Sequence, residues 1–543
     1  MQIIIPMSGI GKRFMDYGYQ VPKFLIEIEN KKIIEHVISL FPGEQDFIFI
    51  CNNEDIKNTN IKQILSEVCP NHIIRSIKKH KLGPVFAVKQ IYDLIHDDKE
   101  IIVNYCDFGT YWNYNDFLAH TRNRRADGAV VAYKGFHPHM LKDPNYAFIN
   151  QSKQWMLDIK EKEPFTDNKM DEYASNGTYY FNKGSLVKKY FDLLIEKDLN
   201  VNGEYYVSMV YKLMVEDNLD VSIYSIEHML QWGTPQDLED YVKWSNIFVD
   251  ISKAKKFNEI SNCIKIIPAA GNGKRFQDEG YEMPKPFIDV SGYPMVFQAA
   301  RCLPSCKETY LILKKEHFES QKSGSEYLKD FKITILEKTT DGQATTCSLP
   351  MQEIEKNKSC LIASCDNLVL FDQKKLELLI NQEDPDCIVF SSKPNNKALM
   401  NPEMFGWICN EENKISEITV KEKLSAKHED GLVIVGIFYF KTIKLYLEVL
   451  KELKDLENKV NNEYYIDSMA QLLVRKKMRV FSFEINKHIS LGTPDEYKTF
   501  IYWQAFFNKN ANHPYSYEND YFFNYGAVEN YLNKEKEFEQ EFS

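Results

Sequence analysis

No stretch of this 543-residue chain reaches the roughly 18 consecutive apolar residues that a spanning helix needs, so membrane insertion is not expected. A secretory leader is not expected either, because residues 1–6 (MQIIIP) run straight into a Gly-containing turn, and a cytoplasmic location is the expectation. The eleven cysteines are odd in number and scattered, without paired CxxC clusters or zinc-like His/Cys spacing, which points to reduced thiols. Basic excess is absent: 67 Lys and Arg stand against 78 Asp and Glu, a net charge of -11 that gives nucleic acid or an anionic membrane no footprint. His137 and His139 flank a Pro with no ligand cluster nearby and read as loop histidines, and the run at residues 78–81 (KKHK) reads as a solvated loop.

What is present is ordinary globular composition, 44% hydrophobic and 27% charged, enough for each half to bury a core. It is also present twice. Gly9-Ile10-Gly11-Lys12-Arg13-Phe14 and Pro22-Lys23 recur 262 residues later as Gly271-Asn272-Gly273-Lys274-Arg275-Phe276 and Pro284-Lys285. Cys106-Asp107, NGEYY at 202–206 and Gly233-Thr234-Pro235 recur at an offset of 259 as Cys365-Asp366, NNEYY at 461–465 and Gly492-Thr493-Pro494. A net difference of three residues over such a span marks a duplication.

Within the first copy, residues 3–5, 47–51 and 101–104 read as strands and 33–41 and 85–95 as helices. That alternation predicts an α/β fold: two tandem Rossmann-like domains with mostly parallel sheets, ligands lying beyond the carboxyl ends of the strands. The expected domains are 1–255 and 262–505, joined by a polar connector. Residues 506–543 form an aromatic and charged tail, expected to pack on a domain or a second subunit and given no chemistry.

The first strand of each copy leads into Gly9-x-Gly11 or Gly271-x-Gly273, followed by Lys12-Arg13 or Lys274-Arg275. Backbone N–H groups and cations so arranged suit a polyphosphate. Asp107 and Asp366 each close an apolar strand, where a carboxylate can meet a triphosphate-bound cation or simply cap a helix. Gly83 and Gly342-Gln343 precede helical stretches, where a plain helix start is an equal reading for Gly83.

These motifs resemble the sugar-nucleotide pyrophosphorylase family of nucleotidyltransferases. The likeness is nearest to the branch found in capsule and surface-glycan clusters, on residues 283–296 (MPKPFIDVSGYPMV) and 104–108 (NYCDF). The resemblance implies that Arg13 and Arg275 hold the β- and γ-phosphates, that Lys23 and Lys285 stand beside the α-phosphate, and that Asp107 and Asp366 bind Mg²⁺. It also implies base reading by Gly83, Gly342 and Gln343, and contact with a phosphorylated substrate by Glu161-Lys162, Gly177 and Glu204 in the first copy. In the second copy the corresponding residues would be Glu422-Lys423, Gly436 and Glu463.

The implied reaction joins a nucleoside monophosphate from CTP, UTP or dTTP to a sugar phosphate or similar small substrate, with pyrophosphate released. A homo-oligomer is left open. The family's second metal-binding Asp is replaced by Gln231 and Ser490, so a non-catalytic nucleotide- or sugar-binding protein stays open as well. A nucleotide-sugar-dependent glycosyltransferase is the other alternative, but its usual Asp-x-Asp is lacking.

Overall fold

The computed structural model of the chain describes residues 1–320, 326–422, 431–524 and 526. Contacts divide these into two units, one running from Met1 to Asn246 and the other from Ile247 onward.

The first domain is built on nine strands: β1 (Gln2–Met7), β2 (Phe47–Asn52), β3 (His72–Ile77), β4 (Ile101–Asn104), β5 (Gly128–Tyr133), β6 (Ala147–Ser152), β7 (Trp155–Glu161), β8 (Tyr173–Phe181) and β9 (Val221–Ile226). They form one sheet in the order β3-β2-β1-β4-β8-β5-β9-β7-β6. Strands β1, β2 and β5 are buried along almost their whole length, as expected where helices cover both faces of a sheet. The second domain repeats the plan with β10 (Cys263–Ala269), β11 (Glu308–Lys314), β12 (Lys332–Leu336), β13 (Ser359–Ile362), β14 (Cys387–Ser392), β15 (Gly406–Glu411), β16 (Lys414–Val420), β17 (Leu432–Phe440) and β18 (Val480–Glu484). Its order, β12-β11-β10-β13-β17-β14-β18-β16-β15, is the same.

The expectation of mostly parallel sheets needs correcting, because each sheet is mixed. Strands β1 to β4 are parallel to one another, as are β5 and β9. Strand β8 runs antiparallel to both β4 and β5, and β6, β7 and β9 pair antiparallel. Local chain length explains one of these pairings. Only Lys153 and Gln154, both with positive φ, separate β6 from β7, and a two-residue turn can join only antiparallel neighbours.

Two glycines show how distant segments are locked. Gly83 opens the helix Gly83–Lys89 with φ 84°, and a Cβ there would stand 2.7 Å from the backbone N and O of Tyr205. The Tyr205 N–H donates to the Leu82 carbonyl, and the Val85 N–H donates to the Tyr205 carbonyl. Gly342 repeats this against Tyr464, with Tyr464 N–H to Asp341 O and Ala344 N–H to Tyr464 O.

The helix Pro494–Lys509 carries the second domain past Trp503. The chain beyond it folds onto the same domain: the Asn524 N–H donates to Ser291 O, and the Arg301 guanidinium to Tyr521 O. The charged end of the tail lies outside the described residues. Among those described, no helix is long and apolar enough to cross a membrane.

Because both glycines combine positive φ with a backbone in the way, Gly83→Ala and Gly342→Ala are expected to destabilise their domains by about 2–4 kcal/mol. That corresponds to a loss on the order of 5–10 °C in the melting transition of the altered domain by scanning calorimetry. A variant melting like the parent would show that the clamp carries no stability.

Candidate functional site

The carboxyl ends of β1 and β4 and the amino-terminal half of the antiparallel β8 open onto a cleft of about 890 Å³ in the first domain. Its wall includes Gly9, Gly11, Lys12, Arg13, Lys23, Gly83, Asp107, Glu161, Lys162, Gly177 and Glu204. Thus every residue singled out in the first copy lines one space.

Local structure places each of them. Gly11 takes the left-handed conformation, φ 65°, ahead of the short helix Lys12–Asp16, a geometry that costs other residues about 1–2 kcal/mol. A Cβ at Gly9 or Gly11 would meet nothing within 4 Å, so the turn's backbone borders open space. Lys12 and Arg13 are exposed. Pro22 sets the extended entry into the 3-10 turn Lys23–Leu25, and from it Lys23 Nζ reaches Asp107 Oδ2 at 2.6 Å. Asp107 stands three residues past the end of β4, in the turn to the short strand Phe108–Tyr111.

The Lys23 and Asp107 side chains are 28% and 23% exposed. Desolvation alone would lower the Lys23 pKa, but the Asp107 carboxylate more than offsets it, and the ammonium is held charged above its ordinary range. At an effective dielectric of 20, a cation about 4 Å from a phosphate oxygen is worth about 4 kcal/mol, so this ammonium can matter to a phosphate in the cleft.

On the opposite wall, Ser208 Oγ donates to Glu161 Oε2 at 2.5 Å, and burial raises the pKa of that carboxyl. Lys162 Nζ donates to the Tyr206 hydroxyl at 2.7 Å, and that hydroxyl donates to Glu204. Gly177, with φ 101°, sits at the bulge where β8 slips its register against β5, and a Cβ there would press on the Tyr105 and Phe108 rings at 3.1 Å. The position of the absent second Asp holds Gln231. Its amide Nε2 and Asp107 Oδ2 both lie within 3.2 Å of the point where a Gly233 Cβ would stand.

The second domain keeps the same cationic corner. Lys285 pairs with Asp366 and donates to the Gly492 carbonyl at 3.3 Å, and Gly273 is again left-handed at φ 62°. Lys285, like Lys23, is subject to desolvation that lowers its pKa and to a carboxylate that raises it further. Lys274 and Arg275 are exposed, Gly271 borders open space, Gln343 begins the helix Gln343–Met351, and Glu463 is exposed. Gly436, φ 75°, lies at the equivalent bulge, close to Asn367 and Ser364. Ser490 donates to Glu496 Oε2 at 2.9 Å, and that oxygen and Asp366 Oδ2 both lie within 3.5 Å of the Gly492 Cβ point.

One expected pairing is corrected by the register. The Lys162 N–H donates to Tyr146 O, and 259 residues later the Lys421 N–H donates to Phe405 O, both lysines having positive φ. Val420 and Lys421, rather than Glu422 and Lys423, therefore stand where Glu161 and Lys162 stand. Glu422 is exposed one residue further on, and Lys423 lies outside the described residues.

Sequence reading missed several cleft residues. Lys79, His80 and Lys81 lie in the expected loop and also line the cleft, with His80 Nε2 3.3 Å from Ser8 Oγ. Tyr146, Asn176 and Tyr206 also line it, and of these only Tyr206 carried a signal, through its place in the repeated NGEYY. His137 and His139 are buried rather than in an open loop, and burial pushes the His137 pKa down to about 3. Among the described residues, no group of three or more His, Cys, Asp or Glu is placed to hold a metal ion.

The family model described as Nucleotidyl transferase matches residues 2–237 and again residues 264–540, together well over half of the chain. The chain belongs to the nucleotidyl transferase family. It carries the family domain twice, in α/β form, and each domain sets one Lys–Asp pair beside its Gly-rich turn. Curated relatives of this nucleotidyl transferase include the bifunctional protein GlmU of Staphylococcus epidermidis, 23% identical over 41% of this chain and 47% of that protein. GlmU of Clostridioides difficile is 24% identical over 41% and 46%. The chain thus spans about half the length of the curated relatives it matches. Similar solved structures include a nucleoside-diphosphate-sugar pyrophosphorylase from Vibrio cholerae, at 19% identity and TM-score 0.38, covering 44% of this chain and 99% of that one. The inositol-1-phosphate CTP transferase of T. maritima aligns at 17% identity and TM-score 0.35, covering 46% and 97%.

Since burial raises the Glu161 pKa, the folded chain binds its proton more tightly than the unfolded chain does. Stability from this group is therefore full below the usual glutamate value near 4.5 and is lost as pH rises through the folded pKa. Glu161→Gln is expected to unfold at the same or higher urea concentration than the parent at pH 7, with a flatter dependence between pH 4 and 7. A marked loss of stability at pH 7 would contradict this.

Proposed function

We propose that each domain transfers a nucleoside monophosphate from CTP, UTP or dTTP to a sugar phosphate or similar small phosphorylated substrate, releasing pyrophosphate, in the cytoplasmic supply of surface-glycan precursors. The observation that carries this reading is the charged lysine of the Pro-Lys element, held against the strand-end Asp beside a Gly-rich turn with a left-handed second glycine, in both domains.

In this reading an oxygen of the substrate phosphate attacks the α-phosphorus in line, forming one P–O bond while the bond to the β-phosphate oxygen breaks. The displaced pyrophosphate carries the electron pair away. Arg13 and the backbone of Gly9 and Gly11 hold the β- and γ-phosphates, and Lys23 stabilises charge at the α-phosphate. Arg275, Gly271, Gly273 and Lys285 do the same in the second domain. Such fixed charges, already oriented before reaction, stabilise a transition state that is mostly charge redistribution. Gly83, Gly342 and Gln343 approach the base, while Lys162 and Lys421 meet the substrate phosphate and Glu161 and Glu204 its hydroxyls.

Among the described residues no three His, Cys, Asp or Glu gather into a metal cage built by protein alone; a strand-end aspartate in each domain fits Mg²⁺, which is commonly held by one or two carboxylates together with phosphates and water. Asp107 and Asp366 would hold it, and when bound it would neutralise charge on the triphosphate.

A second reading, a nucleotide-binding protein without turnover, is favoured by the amide of Gln231 standing beside Asp107 where a carboxylate would complete a metal pair. Gain of turnover in Gln231→Asp, from a parent that binds without reacting, would support it.

For the principal reading, Lys23→Ala and Lys285→Ala are each expected to lower pyrophosphate release in their own domain by about 10²–10³-fold, assayed with a panel of triphosphates and sugar or polyol phosphates. A parent that releases no pyrophosphate with any pair would overturn it.

A further inference from the structure

Resting on the reaction proposed above, we infer that Asp467 is the substrate-hydroxyl acceptor of the second domain, taking from the neighbouring helix the place that Glu161 fills from its strand in the first.

Three changes at matched positions carry the inference. In the first domain Glu161 ends β7 directly across from Ala147, which begins β6; both line the cleft, and Ser208 at the start of the helix Ser208–Glu216 donates to Glu161. In the second domain the corresponding cross-strand pair is Val420 and Gly406. Val420 is buried and has no acceptor to offer. The residue matching Ser208, at the same offset of 259, is Asp467 in the helix Ile466–Arg475.

The third change makes room for the second. A Cβ on Gly406 would stand 2.5 Å from Asp467 Oδ2, so an alanine like Ala147 could not share that space with the carboxylate. The Asp467 carboxylate thus occupies the spot that in the first domain belongs to a cleft-lining methyl group. Burial raises the Asp467 pKa to about 6 while nearby Lys421 favours the charged form, and Lys421 Nζ, which donates to Met404 O at 2.9 Å, sits 5.5 Å from the centre of the Tyr465 ring as Lys162 Nζ sits 4.5 Å from that of Tyr206. One carboxylate has been kept beside the lysine and tyrosine while its backbone anchor moved from strand to helix.

An anionic acceptor beside a cation suits a small substrate with both a phosphate and free hydroxyl groups. A shorter side chain arriving from the helix instead of the strand accepts from a differently placed hydroxyl. The two domains are therefore expected to prefer different sugar or polyol phosphates.

A carboxylate in the first turn of a helix also stabilises that helix, so binding must be read separately from folding. In full-length protein carrying Lys23→Ala, with the sugar or polyol phosphate that this variant turns over best, Asp467→Asn is expected to raise KM for that phosphate on the order of 10- to 100-fold. KM for the triphosphate should stay within about twofold. The triple variant Gly406→Ala, Val420→Glu, Asp467→Ser is expected to regain saturation and to shift preference toward the first domain's substrate. An unchanged phosphate KM in Asp467→Asn, while Lys285→Ala still abolishes turnover, would overturn the role of Asp467 alone. If Lys285→Ala changes nothing, the proposed reaction itself fails and this inference falls with it.

Discussion

The architecture of each domain depends on one ion pair, a lysine from the Pro-Lys turn against the aspartate just past a central strand. Taking an ammonium partly out of water is unfavourable unless a counter-charge meets it, and a lone buried carboxylate is equally unfavourable. The two groups therefore hold each other, and with them the turns that bear them, at the carboxyl edge of the sheet. Left-handed Gly11 and Gly273 bend the first strand's exit past the pair, and the late Gly-Thr turns close over it from the other side, with Gly233 and Gly492 leaning on the same aspartates. An incoming polyphosphate would compete for the lysine, which makes the pair a poised site as well as a structural tie.

Comparison of the two domains separates what is constrained from what has drifted. The ion pair, the positive-φ glycines and the clamp of Gly83 or Gly342 against a tyrosine backbone recur. The corner formed by the β6–β7 and β15–β16 hairpins does not, because Glu161, Ala147 and Ser208 become Val420, Gly406 and Asp467. The late turn has changed too, where Gln231 lies near Asp107 in one domain and Ser490 bonds Glu496 in the other. The parts proposed to touch a triphosphate are the same in the two halves, and the parts proposed to face a second substrate differ, as expected if a duplicated scaffold takes on related but distinct substrates.

Much of this was legible in sequence because it is local. A strand, a turn needing positive φ, and a Pro-set lysine leave a compact local pattern whose recurrence marked Arg13, Lys23 and their counterparts, while the separate Cys-Asp repeat at the end of a strand marked Asp107 and Asp366. Contacts between distant segments left weaker traces. Gly83 reads as a helix start, whereas its strictest constraint is the backbone of Tyr205, more than a hundred residues away. The mixed sheet was hidden because the clearest strands, residues 3–5, 47–51 and 101–104, all belong to its parallel half. In VKEKL at residues 420–424, two Lys-containing steps offer themselves to the eye, and only the hydrogen bond from Lys421 to Phe405 fixes which lysine matches Lys162.

Both lysines hold their charge against the aspartates, and whether that charge serves a phosphate is decided by a crystal structure of the full chain with a triphosphate analogue whose α–β bridge cannot be cleaved. One analogue is expected per domain, its phosphates along the Gly-rich turns and its α-phosphate within hydrogen-bonding distance of Lys23 Nζ or Lys285 Nζ. Analogue bound away from those turns, with both Lys–Asp pairs untouched, would contradict that role.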